Sequence, residues 1–492
     1  MSRFWTAALA ALAMFSASAA WAEVKLARIF SDHMVLQQKT QAPVWGWADK
    51  GEKVTVTLGD KTADATAKDD GSWMVKIDTP AASDKPHDLK IKGSNEIVLK
   101  DVLIGEVWIC SGQSNMQWSV NASKNANEEK ASADHPQIRL FTVPSDKAMP
   151  SPEPQKDFAL EAQPQEGGNL KWNVCSPNTV GNFSAVGYFF GRKLNSELKI
   201  PIGLINSSWG GTICEAWTSK GALEADKEWL MPLVERSKNF QAGNPNQASV
   251  LYNGMIQPLV PFAIRGAIWY QGESNKSRAE QYATLFPAMI KDWRAKFGQG
   301  DFPFLFVQLA PYAYSRDAEK KPMDSKELPE LWEAQSKTLA LPNTGMAVTT
   351  DITEINDIHP KNKQDVGLRL ALWALANTYD KKDLVYSGPL YDSMSVEAGK
   401  IRIKFKHGAG LQSSDSQPLN SFTIAGDDEK FVPAKAEIDG DTIVVSSPDV
   451  SKPVAVRFGW NDLATPNLVN KAGLPASPFR TDKFKMVTAG RK

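Results

Sequence analysis

The chain has 492 residues, 42% of them hydrophobic and 23% charged, with 56 Lys and Arg balanced by 56 Asp and Glu. That length exceeds one ordinary domain, and a formal net charge of +0 with no like-charged block argues against nucleic acid or an anionic membrane surface as a partner. The five His and three Cys form no HExxH and no CxxC, which excludes a zincin mechanism or a structural zinc site of the usual spacing.

The chain opens on Met1-Ser2-Arg3, runs uncharged from Phe4 to Ala22 and closes that run with Ala20-Trp21-Ala22, the layout of a cleavable export signal over residues 1–22. The mature protein is therefore expected in the periplasm or outside the cell. No later stretch approaches the roughly 18 apolar residues of a span, so no membrane segment is expected after cleavage. Three Cys in an oxidising compartment allow one intrachain disulfide at most.

Residues 23–103 carry short alternating runs such as Val54-Thr55-Val56-Thr57-Leu58 and Trp73-Met74-Val75-Lys76-Ile77 between Gly and Pro turns, and read as a small β-sandwich. Residues 104–384 alternate strand-like apolar runs with segments of helical spacing, which predicts an α/β domain with an open parallel sheet between helices. The expected strands are Val107–Cys110, Ile202–Ile205, Ala267–Tyr270, Phe304–Val307 and Met346–Thr349. Expected helices carry the stripes Val186, Phe189, Phe190, Leu194; Tyr282, Leu285, Phe286, Met289, Ile290, Trp293; and Val366, Leu370, Trp373. A long inserted loop near 119–172, marked by Pro150, Pro152, Pro154 and Pro164, is expected to lie over the sheet. Residues 385–492 are β-rich again, with strands at Ile401–Phe405, Thr442–Val445 and Val454–Phe458, and predict a second sandwich.

In an open parallel sheet the ligand crevice lies beyond the carboxyl ends of the strands, so the residues that follow each strand are where chemistry is expected. After the first strand comes Ser111-Gly112-Gln113-Ser114-Asn115-Met116, which places Ser114 at a strand-to-helix turn whose amides can face a developing oxyanion. After the second comes Trp209-Gly210-Gly211-Thr212, where paired Gly permit close backbone approach, and after the third Gln271-Gly272-Glu273-Ser274-Asn275, with two side-chain amides able to donate. A Ser needs a base to become a nucleophile. His33, His87 and His407 fall in the β-rich flanks and His135 in the polar loop, which leaves His359, at the carboxyl edge of the sheet, with Asp357 and Asp351 nearby. Ser114 lacks the G-x-S-x-G elbow of lipases and many peptidases. Sixteen Trp is a high count, and Trp118, Trp209 and Trp217 flank these blocks, where indole faces can stack on a sugar ring.

The ordered blocks Phe30-Ser31-Asp32-His33-Met34-Val35-Leu36-Gln37, Gly112-Gln113-Ser114-Asn115-Met116, Trp209-Gly210-Gly211-Thr212, Trp269-Tyr270-Gln271-Gly272-Glu273-Ser274, Asp357-Ile358-His359-Pro360 and Gly473-Leu474-Pro475-Ala476-Ser477-Pro478-Phe479 span nearly the whole mature chain. Their pattern resembles the SGNH (GDSL-like) hydrolases and, within them, the sialate O-acetylesterase family of carbohydrate esterases. The resemblance implies an SGNH-like sheet flanked by the two sandwiches, Ser114 as nucleophile and His359 as general base. It also implies a main-chain oxyanion donor from Gly210 and Gly211, assisted by the side chain of Gln271 or, second, Asn275. The family's Asp three residues before the His is Asn356 here, so Asp357, Asp351 or no carboxylate orients the imidazole. Glu273 is expected to support Gln271 or the serine loop. The implied activity is removal of O-acetyl groups from a carbohydrate, whether acetylated sialic acid or a plant polysaccharide such as xylan or xyloglucan, through an acetyl-enzyme and without metal or organic cofactor. A competing reading is a non-catalytic glycan-binding protein with a degenerate hydrolase domain.

Overall fold

The computed structural model describes residues 23–158, 170–316, 319–323 and 325–492, so the expected export signal lies outside the described residues, as does 159–169 of the expected loop. The organising element is one unbroken strand of 17 residues, β1 (Glu96–Gly112), buried at every position from Val102 onward. Its first half pairs antiparallel with Ser83–Lys92, and Val35–Gln37 runs parallel to Leu103–Gly105. Its second half is the central strand of a parallel sheet. The expected boundary at 103/104 falls inside β1.

The other strands of that sheet are β2 (His135–Thr142), β3 (Asn173–Cys175), β4 (Ile202–Ser208), β5 (Gly266–Tyr270), β6 (Phe304–Val307) and β7 (Thr344–Ala347), in the order β3-β2-β4-β1-β5-β6-β7. All neighbours are parallel except β3, which lies antiparallel on β2 at the edge. β2 lies within the stretch expected as a long inserted loop near 119–172 and is a sheet strand that the sequence reading did not draw. Its Ile138, Leu140 and Phe141 are buried, and Arg139 between them is only 4% exposed, because its guanidinium is bound by the Asp101 carboxylate and by the carbonyls of His33, Asp101 and Pro136.

Helices α1 (Ala185–Leu198), α2 (Ala279–Phe297), α3 (Glu327–Lys337) and α4 (Lys363–Asn377) cover the sheet. Strand alternation sorts them by face. Trp108 of β1 packs on Phe190 of α1, which lies along α4, whereas Trp269 of β5 and Phe306 of β6 pack on Phe286 of α2, which lies along α3. α3 was not among the expected helices, although its buried Leu328, Leu331 and Trp332 stand at helical spacing; beside them Glu330 is a buried carboxylate that accepts the N–H groups of Val487 and Thr488.

On the amino-terminal side, an antiparallel sheet of Lys25–Leu26, Gln41–Trp47 and Ser72–Asp78 faces the strands Lys53–Leu58, Lys61–Thr66, Ser83–Lys92 and the first half of β1. Their shared core is continuous with that of the α/β layer. At the carboxyl end, two four-stranded sheets close over a separate core that includes Ile401, Ile403, Ile443, Val456, Phe458 and Phe479. Among the described residues no helix is long and apolar enough to cross a membrane. The chain leaves β1 toward β2 and β4 on one side and later crosses to β5 on the other, so the crevice at this switch of direction opens at the carboxyl end of β1.

Candidate active site

β1 ends at Gly112, whose φ is +136°, and a Cβ there would lie 2.2 Å from the Tyr270 carbonyl oxygen of β5. Only glycine lets the two strands run this close as the chain turns. Gln113 donates its N–H to the same carbonyl at 3.0 Å, and Ser114 then begins a short helix, Ser114–Gln117. The turn puts Ser114 Oγ 2.9 Å from His359 Nε2, residues 245 positions apart in sequence.

His359 sits on the loop that follows β7. Asp357 Oδ1 accepts the His359 backbone N–H at 2.9 Å and lies 3.9 Å from Nδ1, within ion-pair reach but too long for a hydrogen bond to the ring. The other candidates are committed elsewhere: Asp351 takes both forks of Arg369 at 2.6 Å, and Asn356 Oδ1 accepts from Arg316 at 3.1 Å. Trp118 stacks on the imidazole with centroids 4.5 Å apart and planes 17° from parallel, fixing the ring by packing. Burial, and then the nearby Lys363 ammonium, lower the His359 pKa from its ordinary value, with Asp357 opposing. The ring is therefore neutral at neutral pH, the state in which Nε2 can accept a proton.

Gly210 lies directly beside the serine, since a Cβ built on it would be 3.2 Å from Ser114 Cβ. Its N–H donates to Gln117 Oε1 at 2.9 Å, an exposed side chain of the serine helix, so the amide faces the crevice rather than a strand. Gly211 has a φ of +74° with open space around it, and its carbonyl accepts from Asn246 at 3.1 Å.

The two side-chain amides do not match their expected role. Gln271 is fully buried, its Nε2 donating to Thr212 O at 3.0 Å and Asn275 Oδ1 at 2.7 Å while its Oε1 accepts from the Tyr282 hydroxyl at 3.1 Å. Both its protons are spent on holding the Thr212 and Asn275 loops. Asn275, 1% exposed, takes the Cys214 N–H at 2.9 Å and donates to Glu215 at 2.8 Å, which in turn pairs with Arg278. A Gln271→Ala variant is accordingly expected to lose about 2–3 kcal/mol of stability, by leaving buried partners unsatisfied, with kcat changed less than about tenfold in the folded protein. Denaturant unfolding beside ester turnover reads both, and a kcat loss of a hundredfold or more would restore Gln271 as an oxyanion donor.

Trp217 is also corrected: it is fully buried, edge-on to Trp269, with its indole N–H on Thr212 Oγ1 at 3.0 Å, and belongs to the core. Trp118 commits one face to His359, and Trp209, partly exposed, donates its backbone N–H to Gly112 O at 3.0 Å. All three Cys are free and buried, and burial pushes their thiols up.

Two participants escaped the sequence reading. Asn115, next to the nucleophile, donates to Glu273 Oε1 at 2.7 Å and to the Ile358 carbonyl at 3.0 Å, so Glu273 secures the serine loop through Asn115 and not through Gln271. Lys363, the first residue of α4, is fully buried with its ammonium on Asn115 Oδ1 at 2.5 Å. A lysine opening an amphipathic helix reads as a surface charge, and nothing in its spacing marks it otherwise.

The arrangement suits nucleophilic attack by a neutral-imidazole-activated serine on a carbonyl. Comparison with known proteins agrees. The family model described as carbohydrate esterase, sialic acid-specific acetylesterase, matches residues 104–375. The chain is 31% identical over 499 residues to sialate O-acetylesterase of Mus musculus, covering 89% of each chain. It is 32% identical over 505 residues to that of Homo sapiens, covering 92% of each. Among solved structures, a carbohydrate acetylesterase from Xanthomonas citri is 39% identical with a TM-score of 0.83, the match covering 94% of this chain and 100% of that one. With the family model spanning more than half the chain and whole-length relatives above 30% identity, the chain belongs to the sialic acid-specific acetylesterase family of carbohydrate esterases, which are carboxylic ester hydrolases.

Proposed function

We propose that the protein is an exported serine esterase that removes O-acetyl groups from a carbohydrate through an acetyl-enzyme. Ser114 Oγ attacks the acetyl carbonyl while His359 Nε2 takes its proton, then returns it to the sugar oxygen as the ester bond breaks. Water enters and attacks the acetyl-serine carbonyl as His359 takes its proton; His359 then returns that proton to Ser114 Oγ as the acyl bond breaks, releasing acetate and regenerating Ser114. The carbonyl oxygen, negative in each tetrahedral intermediate, is held by the N–H groups at the serine turn and at Gly210, where it displaces Gln117 Oε1. The observation that carries this reading is the 2.9 Å contact between Ser114 Oγ and a neutral His359 at the carboxyl end of the central strand.

The test is acetate release from O-acetylated sialic acid, xylan oligosaccharides and xyloglucan oligosaccharides by the wild type and by Ser114→Ala. Release by the wild type alone supports the reading and names the glycan. Silence from a folded wild type across the panel favours a binding protein with a degenerate site.

Asp357 is the only one of the expected carboxylates near His359, yet its oxygen is 3.9 Å from Nδ1 and its side chain 36% exposed. Asp357→Asn is therefore expected to cost about tenfold in kcat/KM, far short of the roughly 10⁴-fold loss when a buried aspartate is bonded directly to the ring. A loss above about 10³-fold would show that the carboxylate closes on Nδ1 during turnover.

A further inference from the structure

The serine and histidine turns follow strands that are not neighbours in the parallel sheet, one the central strand β1 and the other the edge strand β7. Beneath them lies a group of buried polar side chains that the mechanism above does not use. Asn115 is its hub: Oδ1 receives the Lys363 ammonium at 2.5 Å, and Nδ2 donates to Glu273 Oε1 at 2.7 Å and to the backbone carbonyl of Ile358, the residue before His359, at 3.0 Å. Lys363 also places its ammonium 5.3 Å from the Tyr270 ring and 5.9 Å from the Trp118 ring, the same Trp118 that stacks on His359. Glu273 Oε2 is buried and has no hydrogen-bond partner among the described residues. A buried ammonium and a buried carboxylate thus sit on either side of one amide whose neighbours in sequence and space are the two reacting residues.

We propose that Lys363, Asn115 and Glu273 form a charged strap that holds the Ser114 turn in register with the His359 turn, with Lys363 as its positioning residue. The inference rests on the Ser114–His359 reading above. Lys363 locks the Asn115 side chain in the one orientation that presents Nδ2 to Ile358 O, and Glu273 compensates the ammonium in a site closed to water. Replacing either charge leaves the other buried with weaker support.

The charged and titratable groups facing Lys363 are Glu273 and Tyr270 from the β5 side, Asp357 and His359 from the histidine turn, and none from the serine helix, which offers Asn115 and Trp118. Burial pulls the ammonium down to about 7, while Glu273 and Asp357 hold it up. On the acid side of that value Lys363 is positive and disfavours protonation of His359. The enzyme is active only with His359 neutral, so the acid limb of kcat/KM lies at lower pH with the ammonium in place than without it.

Lys363→Met keeps length and apolar contacts while removing the charge and the donor. Assayed on 4-nitrophenyl acetate, it is expected to lower the plateau kcat by about ten- to a hundredfold with KM little changed, because the strap places reacting atoms. Its acid limb is expected to rise by about half a pH unit. Glu273→Gln, which preserves shape, removes the carboxylate that anchors Asn115 Nδ2 and is expected to lower the plateau kcat in the same direction. Packing loss alone would lower kcat without moving the limb. An unmoved limb in folded Lys363→Met, with Ser114→Ala inactive, would overturn the strap and leave the nucleophile intact; an active Ser114→Ala would overturn both.

Discussion

Replacing Ser114 by alanine is expected to lower kcat by about four to six orders of magnitude while leaving the fold and Tm essentially unchanged. The serine is partly buried at the mouth of the crevice and its hydroxyl pairs with His359 Nε2, so its removal deletes a nucleophile without opening a core cavity or stranding a buried charge. His359→Ala should cost nearly as much. The double variant should be little worse than either, because a nucleophile without its base, or a base without its nucleophile, already forfeits the covalent route. Residual turnover in all three reflects the amides at the serine turn and Gly210, which the substitutions leave in place. Steady-state release of acetate from each protein measures the series, and a Ser114→Ala enzyme within tenfold of wild type would remove Ser114 from the chemistry.

Glu106→Ala is expected to destabilise the protein by about 3–5 kcal/mol, the largest stability effect foreseen here. Glu106 is fully buried on β1 at the amino end of the parallel sheet, the end away from Ser114. Its Oε1 accepts from Gln37 at 3.2 Å, Gln38 at 2.6 Å and Arg265 Nη2 at 3.0 Å, and its Oε2 from Arg265 Nε at 2.5 Å and the Tyr379 hydroxyl at 2.9 Å. One carboxylate thus ties the amino-terminal strands, the approach to β5 and the segment after α4 together. Truncation leaves a guanidinium and several amide and hydroxyl donors facing a void. Thermal unfolding checks the loss, and kcat of the folded fraction should stay within a few-fold of wild type. A change under about 1 kcal/mol would mean that water satisfies the stranded donors.

Periodicity made the α/β layer readable, because a sheet covered on both faces demands solidly apolar strands and each covering helix demands one stripe. Position relative to the strand ends singled out Ser114 and His359 as candidates, and the structure places their side chains 2.9 Å apart. β2 was hidden by Arg139, whose burial depends on Asp101 and on carbonyls from distant segments, partners that no local pattern discloses. Gln271 misled because an amide bridging two loops and an amide aimed at an oxyanion are the same residue type in the same strand-end position; only its partners Thr212, Asn275 and Tyr282 tell them apart. The boundary at 103/104 marked a real change, from alternating to continuous apolar residues. A strand that passes from a sheet with one wet face to a sheet with none makes that change without ending.

That shared strand has a consequence for how the molecule can be taken apart. A hydrolase cut free at residue 104 would lose half of the strand that carries its nucleophile, together with Val35–Gln37 and Ser83–Lys92 that pair along it. The shortened β1 would still have neighbours on both sides within the parallel sheet, but its amino end would lose Gln37 and Gln38 from Glu106 and the cover over a continuous apolar core. The amino-terminal sandwich is thus no accessory that recombination could exchange for another module at this seam. It is the root of the beam on whose far tip the serine stands, and the two travel through evolution or protein engineering as a single piece.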